Sequence, residues 1–325
     1  LTLNATIRDF KAKGAVGGHN DFQAYSGSTT VGLVKTELGS DGKPVSASLR
    51  GQTIGTQFKD AQNRNIMPAL FDAKRGDKAG TLSNGGTGNG LYSAESFNQW
   101  FRDTPGVNMT KVLPLTLTRV ANTNRYLFDS ATQEPWKTRG GFFPINGELY
   151  GNYANGKNFH FTTEVETEFV YERGTGQVFT FSGDDDVWVF VGGKMVIDLG
   201  GLHSRAEQTI DLDRLSWLED GKAYMLKIFH AERRTDQSNF RIETTLRLRA
   251  VQPPVSTVSS TESSPAERFG RVPCDARPVC TGAEFPATPE VTLGCCLFFR
   301  GGQRSAARGV TAEGHETGTD RYSHA

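Results

Sequence analysis

Hydrophobic and polar positions alternate with period 2 through much of the first 250 residues, and this is the pattern of half-buried β-strands. Leu3, Ala5 and Ile7 share one face of an opening strand. The long segment from Phe159 to Tyr171 alternates for much of its length, and Gln177–Phe181 follows a Gly-Thr-Gly turn. Val187-Trp188-Val189-Phe190-Val191 is apolar on both faces, as a central strand between two layers would be. Gly192-Gly193 then predicts a hairpin into Lys194–Asp198. Tyr224–Phe229 and Phe240–Leu248 complete the set. Short strands separated by turn residues predict an all-β protein, an antiparallel sandwich or barrel.

One helix breaks the pattern. Ser93 is placed to cap it, and Phe97, Trp100 and Phe101 fall at helical spacing before Thr104-Pro105-Gly106 ends it. Gly/Ser/Asn/Asp-rich passages such as 76–90 read as long loops. Residues 1 to about 141 are expected to donate edge strands, this helix and loops to one elaborated sandwich of residues 1–250. Residues 251–265 read as a Pro/Ser/Thr linker. Residues 266–325 keep neither period and read as a disordered tail, or as a frame-shifted or artefactual translation.

Composition narrows the function classes. The chain has 325 residues with 37 Gly and 21 Phe, which suits a β-protein with many turns. Thirty-six Lys and Arg balance 36 Asp and Glu, so the basic excess of a nucleic-acid binder is missing. No apolar run reaches the length of a membrane helix. The chain starts at Leu1 without a basic n-region, as a form stripped of any targeting signal would. All four cysteines, Cys274, Cys280, Cys295 and Cys296, lie in the tail and lack the paired spacing of a zinc site.

The strongest local signal is Asp184-Asp185-Asp186 between two apolar strands. Three like charges need an offset. Ca²⁺, which takes six to eight oxygen ligands, offers one, and a solvated turn another. His230-Ala231-Glu232 has the H-x-E spacing of zinc deaminases, but the P-C-x-x-C partner is missing. Asp198 and His203 read as turn residues, with a metal role for Asp198 as the alternative. The four tryptophans read as packing residues. Asn4-Ala5-Thr6 and Asn108-Met109-Thr110 are sequons that matter only in a eukaryotic secretory host.

Several blocks occur in an order that resembles the fibro-slime domain. That domain is a branch of the β-sandwich superfamily named for anthrax protective antigen, which includes flocculin and adhesin heads. The blocks are Trp100–Asn108, Gly141–Ile145, Asn158–Thr162, Gly183–His203 and His230–Ile242. The resemblance implies a secreted or cell-surface module that binds a glycan through Ca²⁺. Two consecutive Asp joined by a cis peptide hold the ion in the sugar-binding members, and Asp184-Asp185 match that pair. Asp186 departs from the family pattern, being either a further ligand or a solvent-facing strand residue. A second loop supplies further ligands there; here it is Arg234 to Asn239, with Asp236 and Asn239 as the oxygen donors. Two other classes stay open: a matrix-assembly protein that self-associates without binding sugar, and a polysaccharide hydrolase.

Overall fold

A computed structural model describes residues 1–85 and 90–251. The strands run, in chain order, β1 (Thr2–Phe10), β2 (Thr30–Val31), β3 (Gln52–Thr56), β4 (Thr81–Asn84), β5 (Asn108–Thr116), β6 (Thr118–Arg119), β7 (Tyr126–Asp129), β8 (Phe161–Val170), β9 (Val178–Gly183), β10 (Asp186–Val191), β11 (Lys194–Leu199), β12 (Ala206–Asp211), β13 (Ala223–Glu232), β14 (Phe240–Thr244) and β15 (Arg249–Ala250). A seven-stranded sheet has the order β11-β10-β13-β8-β1-β5, with β15 also paired to β8. A five-stranded sheet has the order β12-β9-β14-β7-β6, and β2-β3-β4 form a small third sheet. The pairings are antiparallel. The all-β antiparallel architecture is thus the one expected. The linker and tail, residues 252–325, lie outside the described residues.

The alternation places the core. Leu3, Ala5 and Ile7 of β1, Val165 and Phe169 of β8, Phe179 and Phe181 of β9, and Phe240 and Ile242 of β14 are buried in one cluster. Each of these side chains except Ala5 contributes about 1.5–3 kcal/mol of burial. Strand β10 explains its own unbroken apolar run. Val187, Val189 and Val191 face that cluster, while Trp188 and Phe190 face a second one with Phe97, Trp100 and Phe101. The Gly192-Gly193 turn has φ of 58° and 81°, the left-handed pair that a two-residue hairpin demands.

Three expectations change. The first stretch donates edge strands in β5 and β6, but β1 is not one of them: it lies between β5 and β8. Period 2 is the same for edge and interior strands, so the sequence pattern does not distinguish them. The helix is shorter, α1 (Ala94–Asn98), with Ser93 and Ser96 forming a reciprocal capping box. Trp100 and Phe101, both fully buried, follow its end. A second short helix, α2 (Trp136–Arg139), follows a cis Glu134–Pro135 bond.

Candidate functional site

The site forms where the chain changes sheets. Strand β9 belongs to the five-stranded sheet and β10 to the seven-stranded one, so Asp184 and Asp185 are the crossing between them. Residues 233–239 make the return crossing from β13 to β14. Registry holds the two crossings side by side: Asp186 pairs with Ala231, and Gly183 with Phe240. Gly183 is required by this closeness, because a Cβ there would sit 2.4 Å from the Asn239 carbonyl oxygen.

The Asp184–Asp185 peptide is cis. Asp184 is buried and accepts hydrogen bonds from the Asn239 main-chain N–H at 2.5 Å and from its Nδ2 at 2.7 Å. The Asp184 carbonyl lies 2.8 Å from Nε2 of His230. Burial holds the His230 imidazole down at about 4, so the ring is neutral at physiological pH. Asp185 accepts from the Arg233 main-chain N–H at 3.1 Å. Loss of hydration pushes the Asp184 carboxyl up, and burial, then the Asp186 charge, push Asp185 well up.

Asp186 is neither solvent-facing nor in the pocket. It is fully buried and clamped by Arg233 through Nε at 2.6 Å and Nη2 at 3.1 Å, and the Gly201 N–H donates to it at 2.6 Å. Arg233 also lies 4.8 Å from the Trp100 ring centre. One residue therefore fixes two acids, Asp185 by its backbone and Asp186 by its side chain. Sequence reasoning passed over Arg233, and its place directly after His230-Ala231-Glu232 carried no recognisable signal.

Beneath the pair lies Glu232. Its two carboxyl oxygens are buried and accept no hydrogen bond of regular geometry. Burial, then the charges of Asp185 and Asp184, push its carboxyl well above the usual range. The Ser238 hydroxyl nearby donates instead to the Phe142 carbonyl at 2.7 Å. Three buried acids, Asp184, Asp185 and Glu232, thus share one end of the sandwich, while Arg233 is committed to Asp186.

A pocket of about 340 Å³ opens over the pair. Asp184, Asp185 and the exposed Asp236 line it, with Ser26 and Gly27 from the N-terminal stretch and His203 from the opposite side. Asn239 is attached to Asp184 rather than to the pocket lining. Asp198 stands apart. It accepts from the Trp188 indole N–H at 3.0 Å and the Gly32 N–H at 2.8 Å, and burial lifts its carboxyl to about 7. Trp100 and Trp188 are fully buried, so neither offers a face to a sugar. The Asn108 amide donates to the Gln99 and Arg102 carbonyls and is buried, so that sequon is closed in the folded state.

The donors gathered around the crossing are oxygens, a set that suits a hard cation such as Ca²⁺. Among the described residues, no three His, Cys, Asp or Glu side chains form a ready-made cage. An ion here would draw first on the Asp184 and Asp185 carboxylates, which line the pocket. The clustering of Glu232 with Asp184 and Asp185 is the observation that fits such an ion, because positive charge beside them offsets an otherwise costly burial.

Residues 151–261 match the PA14 domain family. Protein psiQ of Dictyostelium discoideum is 34% identical over 263 residues, covering 76% of this chain and 21% of psiQ. Protein psiD of the same organism is 33% identical over 254 residues, covering 76% of this chain and 41% of psiD. The chain therefore spans roughly a fifth to two-fifths of the length of these relatives. The crystal structure of the PA14 domain of the MpAFP antifreeze protein overlaps 28% of this chain and 45% of its own at 12% identity and a TM-score of 0.18, too slight a likeness to argue from. The block order, the sandwich and these matches together make this chain a fibro-slime domain protein of the PA14, protective antigen-type superfamily.

Proposed function

We propose that the domain is a calcium-dependent carbohydrate-binding module that works outside the cell, at a surface or in a matrix. PA14 domains are carbohydrate-binding or adhesion-type modules. The observation that carries the finer reading is the burial of three acids at an open pocket, Asp184 and Asp185 in its lining and Glu232 outside it, with no salt bridge to any of them among the described residues. Ca²⁺ supplies charge and open coordination positions for vicinal hydroxyls. The chain's own residues do the rest. Asn239 orients the Asp184 carboxylate, and the Arg233 backbone orients Asp185. Ser26, Gly27, Arg234 and Gln237 shape what can approach.

A glycosidase places two carboxyls across a cleft, roughly 5 to 9.5 Å apart. Here the acid that senses the pair, Glu232, lies buried below it and outside the pocket lining. This favours binding over hydrolysis. No helix among the described residues is long and apolar enough to cross a membrane.

Calorimetric titration with Ca²⁺ and a glycan array in Ca²⁺ or chelator test the reading. Wild type should bind the ion and at least one glycan class only with the ion present. Asp184→Asn with Asp185→Asn should lose both. Glycan binding indifferent to chelator, or to that double substitution, overturns it. Concentration-dependent self-assembly without glycan binding favours the matrix-protein reading instead.

A further inference from the structure

We infer that Gln23 is a positioning residue: it sets the spacing of two walls of the pocket over Asp184 and Asp185, from a stretch that the PA14 match leaves out. The inference rests on the reading of that pocket as the sugar site. Ser26 and Gly27 belong to one wall, and Arg234 to Gln237 of the return crossing belong to the other. Gln23 joins the two. Its main-chain N–H donates to the Arg233 carbonyl at 2.6 Å. Its Oε1 accepts from the Thr235 N–H at 3.1 Å, and its Nε2 donates to Thr235 Oγ1 at 3.1 Å. Arg234 Nη1 adds a bond to the Tyr25 carbonyl at 2.6 Å. The Gln23 amide has one orientation. Its oxygen faces both the Thr235 N–H, which can only donate, and His160 Nε2 at 3.0 Å, so turning the amide over would set donor against donor.

One end of this clasp is anchored and the other is not. Just before Gln23, the buried Asp21 accepts from the Tyr92 N–H and the Ser96 hydroxyl, each at 2.6 Å, and from the Trp100 indole N–H at 3.2 Å. Phe22 stacks on Phe10 with ring centres 4.2 Å apart. Gln23 itself has φ of 60°, a left-handed conformation that a residue with a Cβ adopts only at a cost. Such a conformation persists where the surroundings fix it. Here it lets one residue bond the crossing through both its backbone and its side chain. The crossing, by contrast, carries the exposed Arg234, Asp236 and Gln237, so it takes its order from what it is tied to. Its two ends hold the acids: the Arg233 N–H bonds Asp185, and the Asn239 N–H bonds Asp184. Fixing the middle of the crossing therefore bears on both.

The test is amide hydrogen exchange of the full chain in chelator, joined to glycan binding in Ca²⁺. Gln23→Gly suits the left-handed backbone and keeps the bond to the Arg233 carbonyl, so the fold should persist. The Thr235 amide loses its acceptor, so its exchange quickens whatever the role of Gln23. The deciding amides are Arg233 and Asn239, neither of which bonds Gln23. Both should exchange about tenfold faster, while those of β1 and β8 keep wild-type rates. Gln23→Glu keeps an acceptor for the Thr235 N–H and should hold Arg233 and Asn239 near wild type. The glycan that wild type binds most tightly on the array should bind Gln23→Gly about tenfold more weakly and Gln23→Glu more tightly than that. Wild-type exchange at Arg233 and Asn239 in Gln23→Gly, or Gln23→Glu no better protected than Gln23→Gly, overturns the clasp. Faster exchange with unchanged glycan affinity overturns its role in the pocket. Wild type that binds no glycan in Ca²⁺ sinks the sugar reading instead, and the clasp then stands or falls on the exchange.

Discussion

Arg233→Met should be the most damaging single substitution at the crossing. The guanidinium and the Asp186 carboxylate are both fully inaccessible and joined by two hydrogen bonds, at 2.6 and 3.1 Å. Removing the arginine leaves Asp186 with the Gly201 N–H as its remaining donor and Asp185 as a like-charged neighbour. Breaking a buried pair from one side costs about 3–5 kcal/mol, because the stranded charge cannot be hydrated. For a domain of this size that lowers Tm by roughly 6–20 °C. Urea denaturation followed by tryptophan fluorescence measures it. Asp186→Asn in the same chain removes the stranded charge and keeps an acceptor for Gly201, so the double variant should regain about 2 kcal/mol or more. A loss under about 1 kcal/mol for Arg233→Met, or a double variant no better than the single, would show that the pair does not carry this energy.

Three further outcomes are expected. Glu232→Gln in chelator should leave stability within about 0.5 kcal/mol at pH 5 and raise it at pH 8, because the amide has no charge to bury; a loss at pH 8 in urea denaturation would mean that the carboxylate has a partner. Gly183→Ala should cost about 1–3 kcal/mol and weaken Ca²⁺ binding in calorimetry, since its Cβ collides with the backbone that positions Asn239; unchanged affinity argues against the side-by-side crossings. The pH profile of the cation-free protein follows from opposed shifts. Asp9 and Asp198 are lifted from 3.8 to about 6 and about 7, so their stability is greatest below pH 4 and declines as pH rises through those values. His160 and His230 are lowered from 6.5 to about 4, and their contribution grows as pH rises over that interval. The two effects oppose each other up to about pH 7.5; beyond it the histidines have finished, and Asp185 and Glu232, both pushed well up by burial, should make stability in chelator fall as pH rises further, so a rise there contradicts the assignment.

Much of the sandwich was legible because burial writes a period into a strand. The run Val187–Val191 announced two covered faces, and both proved covered, by the inter-sheet core and by the residues around α1. The three consecutive acids were not separable by such a pattern. Asp184 and Asp185 differ from Asp186 only in where the backbone leaves one sheet and joins the other, and in an arginine 47 residues later in the chain. The role of β1 was hidden for a related reason. Its outward Arg8 resembles the solvent face of an edge strand, but it is buried against Glu164 and also bonds Asp103. Pairing across 95 and 156 residues leaves no local trace.

The interior position of β1 has a consequence for how this protein can be cut and recombined. The family match begins at residue 151. A fragment starting there would leave β8 without β1, lose the β7 partner of β14, and deprive Arg233 of the Trp100 ring. The segment that the PA14 match marks is therefore smaller than the sandwich. A graft onto another protein, or an exchange between relatives, must carry the chain from β1 onward to transfer a working unit.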